Sequence, residues 1–179
     1  MKWLSIFAVP LALAFVIGIL ASSRVVGDPA EADSAALSNA QIEQALKPAA
    51  HEPATRGLRR RDAGHVNLNI AFEYNSSEIR PEAFEQLKQL QLALQSEALR
   101  DDRFLVAGHT DARGNPDYNQ RLSLQRADAV KRYLAGHGVD PARMDTIGYG
   151  SQRLLDPDQP NDPRNRRVEI RDLGSAPRE

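Results

Sequence analysis

Two charged residues stand fifteen positions apart in the stretch "GHTDARGNPDYNQRLSLQRADAV", residues 108–130: Asp111 and Arg126. On a helix advancing about 100° per residue, with Leu122 set at zero, Arg126 lies about 40° round. That places it inside an apolar stripe made by Ala129, Tyr133, Val130 and Leu134, while Gln125, Asp128, Lys131 and Arg132 fall on the other side. A half-buried guanidinium is costly unless paired and hydrogen-bonded. It can satisfy a structural ion pair or run its stem along the core edge. It can also wait for an anionic ligand, since its fork of donors matches a carboxylate. Asp111 leaves what reads as a buried strand and enters a loop with Gly114, Asn115 and Pro116, a place where α/β sheets bind ligands. An acid and a base sharing one concave site suit a zwitterion, with aspartate for the ammonium and arginine for the carboxylate. Two charges that merely paired with each other would leave the same sequence, so the residues alone keep both readings open.

His109 and Asp111, two apart on a strand end, could be two metal ligands, with His65 or His137 as a third. Those histidines stand at distant segment ends, and no His-Glu-x-x-His, serine-triad or paired-carboxylate pattern accompanies them. His109 therefore reads as a packed or capping residue that shapes the loop. No catalytic residue, metal or cofactor is expected, and the chain is not read as an enzyme.

The elements that must position these groups follow from periodicity. "VNLNIAF" alternates, with Val66, Leu68, Ile70 and Phe72 on one face, the pattern of a half-buried strand. After Pro81, the residues Phe84, Leu87, Leu90 and Leu94 mark an amphipathic helix to about residue 99. "DDRFLVAGHT" is apolar on both faces and reads as a central strand. Residues 117–136 form a second helix ended by "GHG" around His137, "MDTIGYG" is a third strand, and a polar, proline-rich loop covers 151–165. "RRVEIRD" closes with Val168 and Ile170 facing in. The fold class is α+β: a mixed four-stranded sheet in β-α-β-α-β-loop-β order with helices packed on one side.

A net charge of −1 gives no field for nucleic acid, and the absence of cysteine removes disulfides, thiol catalysis and a lipid-bearing cysteine. No charged residue lies between Lys2 and Arg24. The apolar run at residues 3–21 exceeds a secretory h-region of about 7–15 residues and approaches the roughly 20 that cross a bilayer. Residues 1–22 are thus read as an uncleaved signal anchor in preference to a cleaved signal peptide. The run carries no ionisable group, which argues against a proton-driven stator. Residues 23–64 read as a flexible, solvated linker, with one short helical patch at 38–46 and a basic cluster at 56–61. Residues 174–179 read as a disordered tail.

The runs "FEYNSSEIRPEAFEQL", "GHTDARGNPDYNQRLSLQRADAVKRYL", "IGYGSQ" and "NRRVEI" occur in order. Together they resemble the OmpA-like peptidoglycan-binding domain over residues 65–173. The resemblance implies non-covalent binding of peptidoglycan through the diaminopimelate of its stem peptide. By motif position, Asp111 and Arg126 hold the amino acid end, Thr110 and Asn119 line the pocket, and Arg166 reaches it. Leu122 and Ala127 wall it by packing, and the "NSS" loop from Asn75 to Ser77 is a weaker contact. The loop after Gln152 lacks the family's more usual Gly-Glu and proline, so no site residue is drawn from it. The resemblance also implies a cell-envelope protein with its domain in the periplasm, and the apolar run at residues 3–21 is expected to hold it in a membrane. The alternatives are a cleaved, soluble periplasmic or outer-membrane-associated form, and a wall-anchoring subunit of a larger envelope machine with protein partners.

Overall fold

The computed structural model of the chain describes residues 36–47 and 64–175. The expected signal anchor, the basic cluster and most of the expected linker lie outside the described residues, among which no helix is long and apolar enough to cross a membrane. The elements are α1 (Asn39–Leu46), β1 (His65–Leu68), α2 (Phe84–Leu94), β2 (Asp102–His109), α3 (Pro116–Gly136), β3 (Met144–Gly150) and β4 (Val168–Ser175).

The four strands form one mixed sheet in the order β1-β4-β2-β3. β4 runs antiparallel to both β1 and β2, whereas β2 and β3 are parallel. The parallel pair requires a crossover, which α3 supplies. The core lies between one face of the sheet and the helices: Val66, Leu68, Phe104, Val106, Val168 and Ile170 meet Leu87, Leu90, Leu94, Val130 and Leu134.

Three boundaries differ from the sequence expectation. The α2 helix stops at Leu94, short of the expected residue 99, and Leu99 is buried in the turn that follows. The first alternating run yields a ladder only as far as Leu68; Phe72 instead bridges Ile79 in a separate small hairpin. β4 continues to Ser175, two residues into the segment read as tail, because Ser175 and Gly174 pair with Asp102 and Arg103.

Residues 36–47 correct the linker reading. Ser38 caps α1 in a reciprocal box with Gln41, and Gln86 bonds both the amide and the carbonyl of Leu37 at 2.8 and 3.3 Å. Ile42 and Leu46 are fully buried in the core. The short helical patch expected at 38–46 is thus present, and its Ile42 and Leu46, four apart on one helix face, dock it to the domain. Burying them contributes about 1.5–3 kcal/mol each.

Glycines set the seat of α3. A Cβ on Gly108 would lie 2.0 Å from the Ser123 carbonyl oxygen, and one on Gly148 would lie 2.5 Å from the Leu124 amide nitrogen. The helix therefore rests directly on the β2 and β3 backbones, and Ser123 Oγ accepts from the Gly150 amide at 2.9 Å. That close approach carries the first turns of α3 to the loop that follows β2.

Candidate functional site

The loop after β2 is held by backbone bonds to neighbouring segments and by its own polar side chains. Thr110 N–H donates to the Gly150 carbonyl (2.9 Å) and Ala112 N–H to the Pro160 carbonyl (2.9 Å). Asp111 Oδ1 accepts from the Arg113 amide at 3.2 Å. Asn115 caps α3 by accepting from Tyr118 N–H at 3.0 Å, with Pro116 in the first turn. One turn further, Asn119 returns to the loop and donates to the Arg113 carbonyl at 2.8 Å. Thr110, Asp111 and Asn119 are thereby buried with fixed geometry.

Above them opens a cleft of about 640 Å³, bordered by Phe72, Glu73, Tyr74, Asn75, Arg80, Thr110, Asp111, Arg113, Asn119, Leu122, Arg126 and Arg166. Seven of the residues named from sequence line it: Asp111, Arg126, Thr110, Asn119, Arg166, Leu122 and Asn75. Ala127 does not. It is fully buried in the core cluster, because the step of about 100° from Arg126 turns it away from the cleft and under the helix.

The charges pair differently from the simplest expectation. Asp111 Oδ2 is 2.7 Å from Arg166 Nη1, not beside Arg126. Arg126, half-buried, donates through Nε to the Ser76 carbonyl at 2.9 Å, and its guanidinium carbon sits 4.9 Å from the centre of the Phe72 ring. Its Nη groups have no partner among the described residues. Burial pushes the Arg126 pKa down, the nearby Arg166 adds to that, and Tyr118 and Asp111 oppose it. The group stays charged in any case, since arginine does not deprotonate in proteins.

Arg166 reaches the cleft because Asn165 anchors the loop before it. Asn165 is fully buried; it accepts from the amides of Leu155 and Asp156 at 2.8 and 3.1 Å and donates to the Gln159 carbonyl at 2.9 Å. The next arginine turns away: Arg167 Nε donates to Asn67 Oδ1 at 3.0 Å.

His109 belongs to that other side. Its Nδ1 is 3.1 Å from the Arg153 carbonyl. Its Nε2 lies 3.3 Å from Glu169 Oε2, without hydrogen-bond alignment. His109, then burial in the opposite sense, then Arg171 set the Glu169 carboxyl, whose pKa falls to about 2. His137 instead stacks on Tyr133, ring centres 4.1 Å apart, and His65 is exposed on β1. These three histidines are thus dispersed, and no cluster of metal-ligating side chains occurs among the described residues.

Ser76 lies in the 75–77 loop expected as a weaker contact and acts through its backbone carbonyl. As site residues, sequence reasoning does not name Phe72, whose alternation reads as a strand end, or Tyr118, whose hydroxyl donates to Asn75 Oδ1 at 2.7 Å, nor Glu73, Tyr74, Arg80 and Arg113 on the cleft border. Only the "FEYNSS" and "DYN" motif runs could have flagged Phe72 and Tyr118.

A charged cleft thus lies at the end of the central strands of a mixed sheet, roofed by an arginine-bearing crossover helix. The sequence profile of the OmpA family matches residues 71–167, a span that contains every residue of the cleft, and the chain belongs to that family. It is 38% identical over 102 residues to the peptidoglycan-associated lipoprotein of Pseudomonas putida, covering 56% of this chain and 60% of the relative. It is 36% identical over 111 residues to outer membrane protein A of Bordetella avium, covering 61% and 56%. The chain thus spans about 60% of the length of these curated relatives. Among solved structures, the peptidoglycan-associated lipoprotein from Burkholderia pseudomallei superposes with a TM-score of 0.50 at 28% identity, over 60% of this chain and 89% of that one. The periplasmic domain of Helicobacter pylori MotB gives 0.52 at 25% identity, over 63% and 83%.

Proposed function

We propose that this protein binds peptidoglycan non-covalently in the bacterial cell envelope, taking the zwitterionic end of the stem-peptide diaminopimelate into the cleft. The observation that carries the reading is Arg126: a half-buried guanidinium whose plane is fixed by Ser76 and Phe72 and whose Nη donors have no protein carboxylate among the described residues. A ligand carboxylate would complete it bidentately. Asp111, oriented by Arg166 and the Arg113 amide, retains lone pairs for an ammonium. The likeness to the peptidoglycan-associated lipoprotein of Pseudomonas putida supports peptidoglycan as the partner. With residues 3–21 in a membrane, the domain would fasten that membrane to the wall, and many weak contacts along the polymer would add to a firm hold. The likeness to the periplasmic domain of MotB favours a second version of the same chemistry, in which the wall contact anchors a larger envelope assembly through protein partners.

The test is sedimentation of the purified domain with sacculi. Arg126→Ala and Asp111→Ala should each abolish co-sedimentation while circular dichroism stays unchanged, since removing one member of a desolvated charge contact costs about 2–5 kcal/mol. Sacculi with lysine in place of diaminopimelate should retain less protein. Sedimentation of both variants at the wild-type level would overturn the reading.

A further inference from the structure

The hairpin that carries Phe72 and Ser76 is tied down at both its base and its tip. At the base, Phe72 bridges Ile79, the Glu73 amide donates to the Glu78 carbonyl at 2.9 Å, and the Arg80 amide donates to the Ala71 carbonyl at 3.0 Å. At the tip, Asn75 holds φ = 55°, a left-handed conformation that asparagine tolerates better than most residues. Its side-chain oxygen accepts from the Tyr118 hydroxyl at 2.7 Å, and the Asn75 carbonyl is 3.3 Å from the same hydroxyl. Tyr118 and Arg126 both stand on α3, two turns apart, so the tip is held to one helix by two side chains.

Those two contacts have different consequences. The Tyr118–Asn75 bond fixes where the tip lies. The Arg126–Ser76 bond then fixes the guanidinium, because Ser76 is the next residue along the tip and its carbonyl occupies Nε. With one face of the guanidinium against Phe72, the whole orientation of the anion-binding fork is dictated by the hairpin.

We infer that Tyr118 and Asn75 form a latch that orients Arg126, so that Asn75 serves the site by positioning the arginine and not by touching the ligand. The inference rests on Arg126 being the anion-binding group of the proposed function, but the orientation itself exists in the free protein and can be read there. Loss of the hydroxyl leaves the tip free to shift and lets the Arg126 Nε–H leave the Ser76 carbonyl. A fork that must be re-oriented at the moment of binding gives weaker binding without any lost ligand contact.

The experiment uses Tyr118→Phe, which removes the donor hydroxyl, and Asn75→Gly, which keeps a residue suited to the positive φ and removes the shorter, side-chain acceptor. In the free protein, the Arg126 Nε–H signal by NMR should exchange with water faster in either variant than in wild type, while the thermal midpoint shows no comparable change. Binding of sacculi from a diaminopimelate-containing wall should weaken about three- to tenfold in each, the effect of one neutral hydrogen bond. The double variant should be no worse than either single one. Asn75→Asp, which keeps an acceptor for Tyr118, should restore slow Nε–H exchange. Unchanged Nε–H exchange in Tyr118→Phe would overturn the latch whatever the binding result. A binding loss in Asn75→Gly that adds to that of Tyr118→Phe would show Asn75 touching the ligand, and would overturn it too. Slowed exchange restored by Asn75→Asp, together with wild-type binding in every variant including Arg126→Ala, would keep the latch and discard the proposed ligand.

Discussion

At the scale of single residues, the site depends on how each cation is committed. Arg166 is neutralised by Asp111, and Arg80 by Glu73 and Glu82. Arg126 keeps an unspent fork, and its Nε is engaged to a backbone carbonyl. Lysine in that position would preserve the charge but lack both the Nε donor and the planar pair of Nη donors. Arg126→Lys should therefore fold normally and still lose most sacculus binding, by about 1.5–3 kcal/mol, the range for a hydrogen bond to a charged group. Binding isotherms at two salt concentrations would check this. A lysine variant equal to wild type would mean that only a point charge is needed.

At the scale of elements, two features decide where those residues meet. Gly108 and Gly148 let α3 lie on the sheet backbone, which brings the Arg126 turn over the loop of Asp111. The other feature is α1, whose residues Ile42 and Leu46 complete the core beneath α2. Ile42→Ala should destabilise the domain by about 2–5 kcal/mol, as expected of a large buried aliphatic residue cut to alanine. Urea unfolding of the domain from residue 36 onward would measure it. A change within about 0.5 kcal/mol, typical of an exposed position, would restore the linker reading of this segment.

At the scale of the whole molecule, the face of the sheet opposite the helices carries a polar network of His109, Glu169, Arg167 and Arg171. Glu169 titrates in the folded protein at about 2 against an ordinary value of 4.5. The folded state thus holds the ionised form more strongly than the unfolded chain does. The stability this contributes is present above about 4.5 and drains away as pH falls towards 2. The urea midpoint of the wild-type protein should accordingly drop through that interval, and Glu169→Gln should show a lower midpoint at neutral pH with a flatter acid limb. Parallel acid limbs in the two proteins would remove Glu169 as the source.

The fold and most of the cleft were legible in the sequence, and particular residues show why. Val66, Leu68, Val168 and Ile170 announce strands because a period of two is a local property of the chain. Asp111, Thr110, Asn119, Leu122, Arg126 and Arg166 could be named because the motif runs that carry them are long and ordered. Ala127 went to the wrong side because a step of about 100° along a helix separates cleft from core, and motif position does not record it. The helix at 39–46 was legible as a short patch, but a stripe of about two turns cut off from the other elements by a long polar stretch does not say that it docks into the core. The sequence by itself determined the elements, their order and the charged residues that share one end of the sheet. Only the tertiary structure decided that Asp111 pairs with Arg166 and that Arg126 is aimed by Ser76 and Phe72. Those contacts join residues fifty and more positions apart, and their partners are chosen by where strands and helices come to rest and not by any local pattern along the chain.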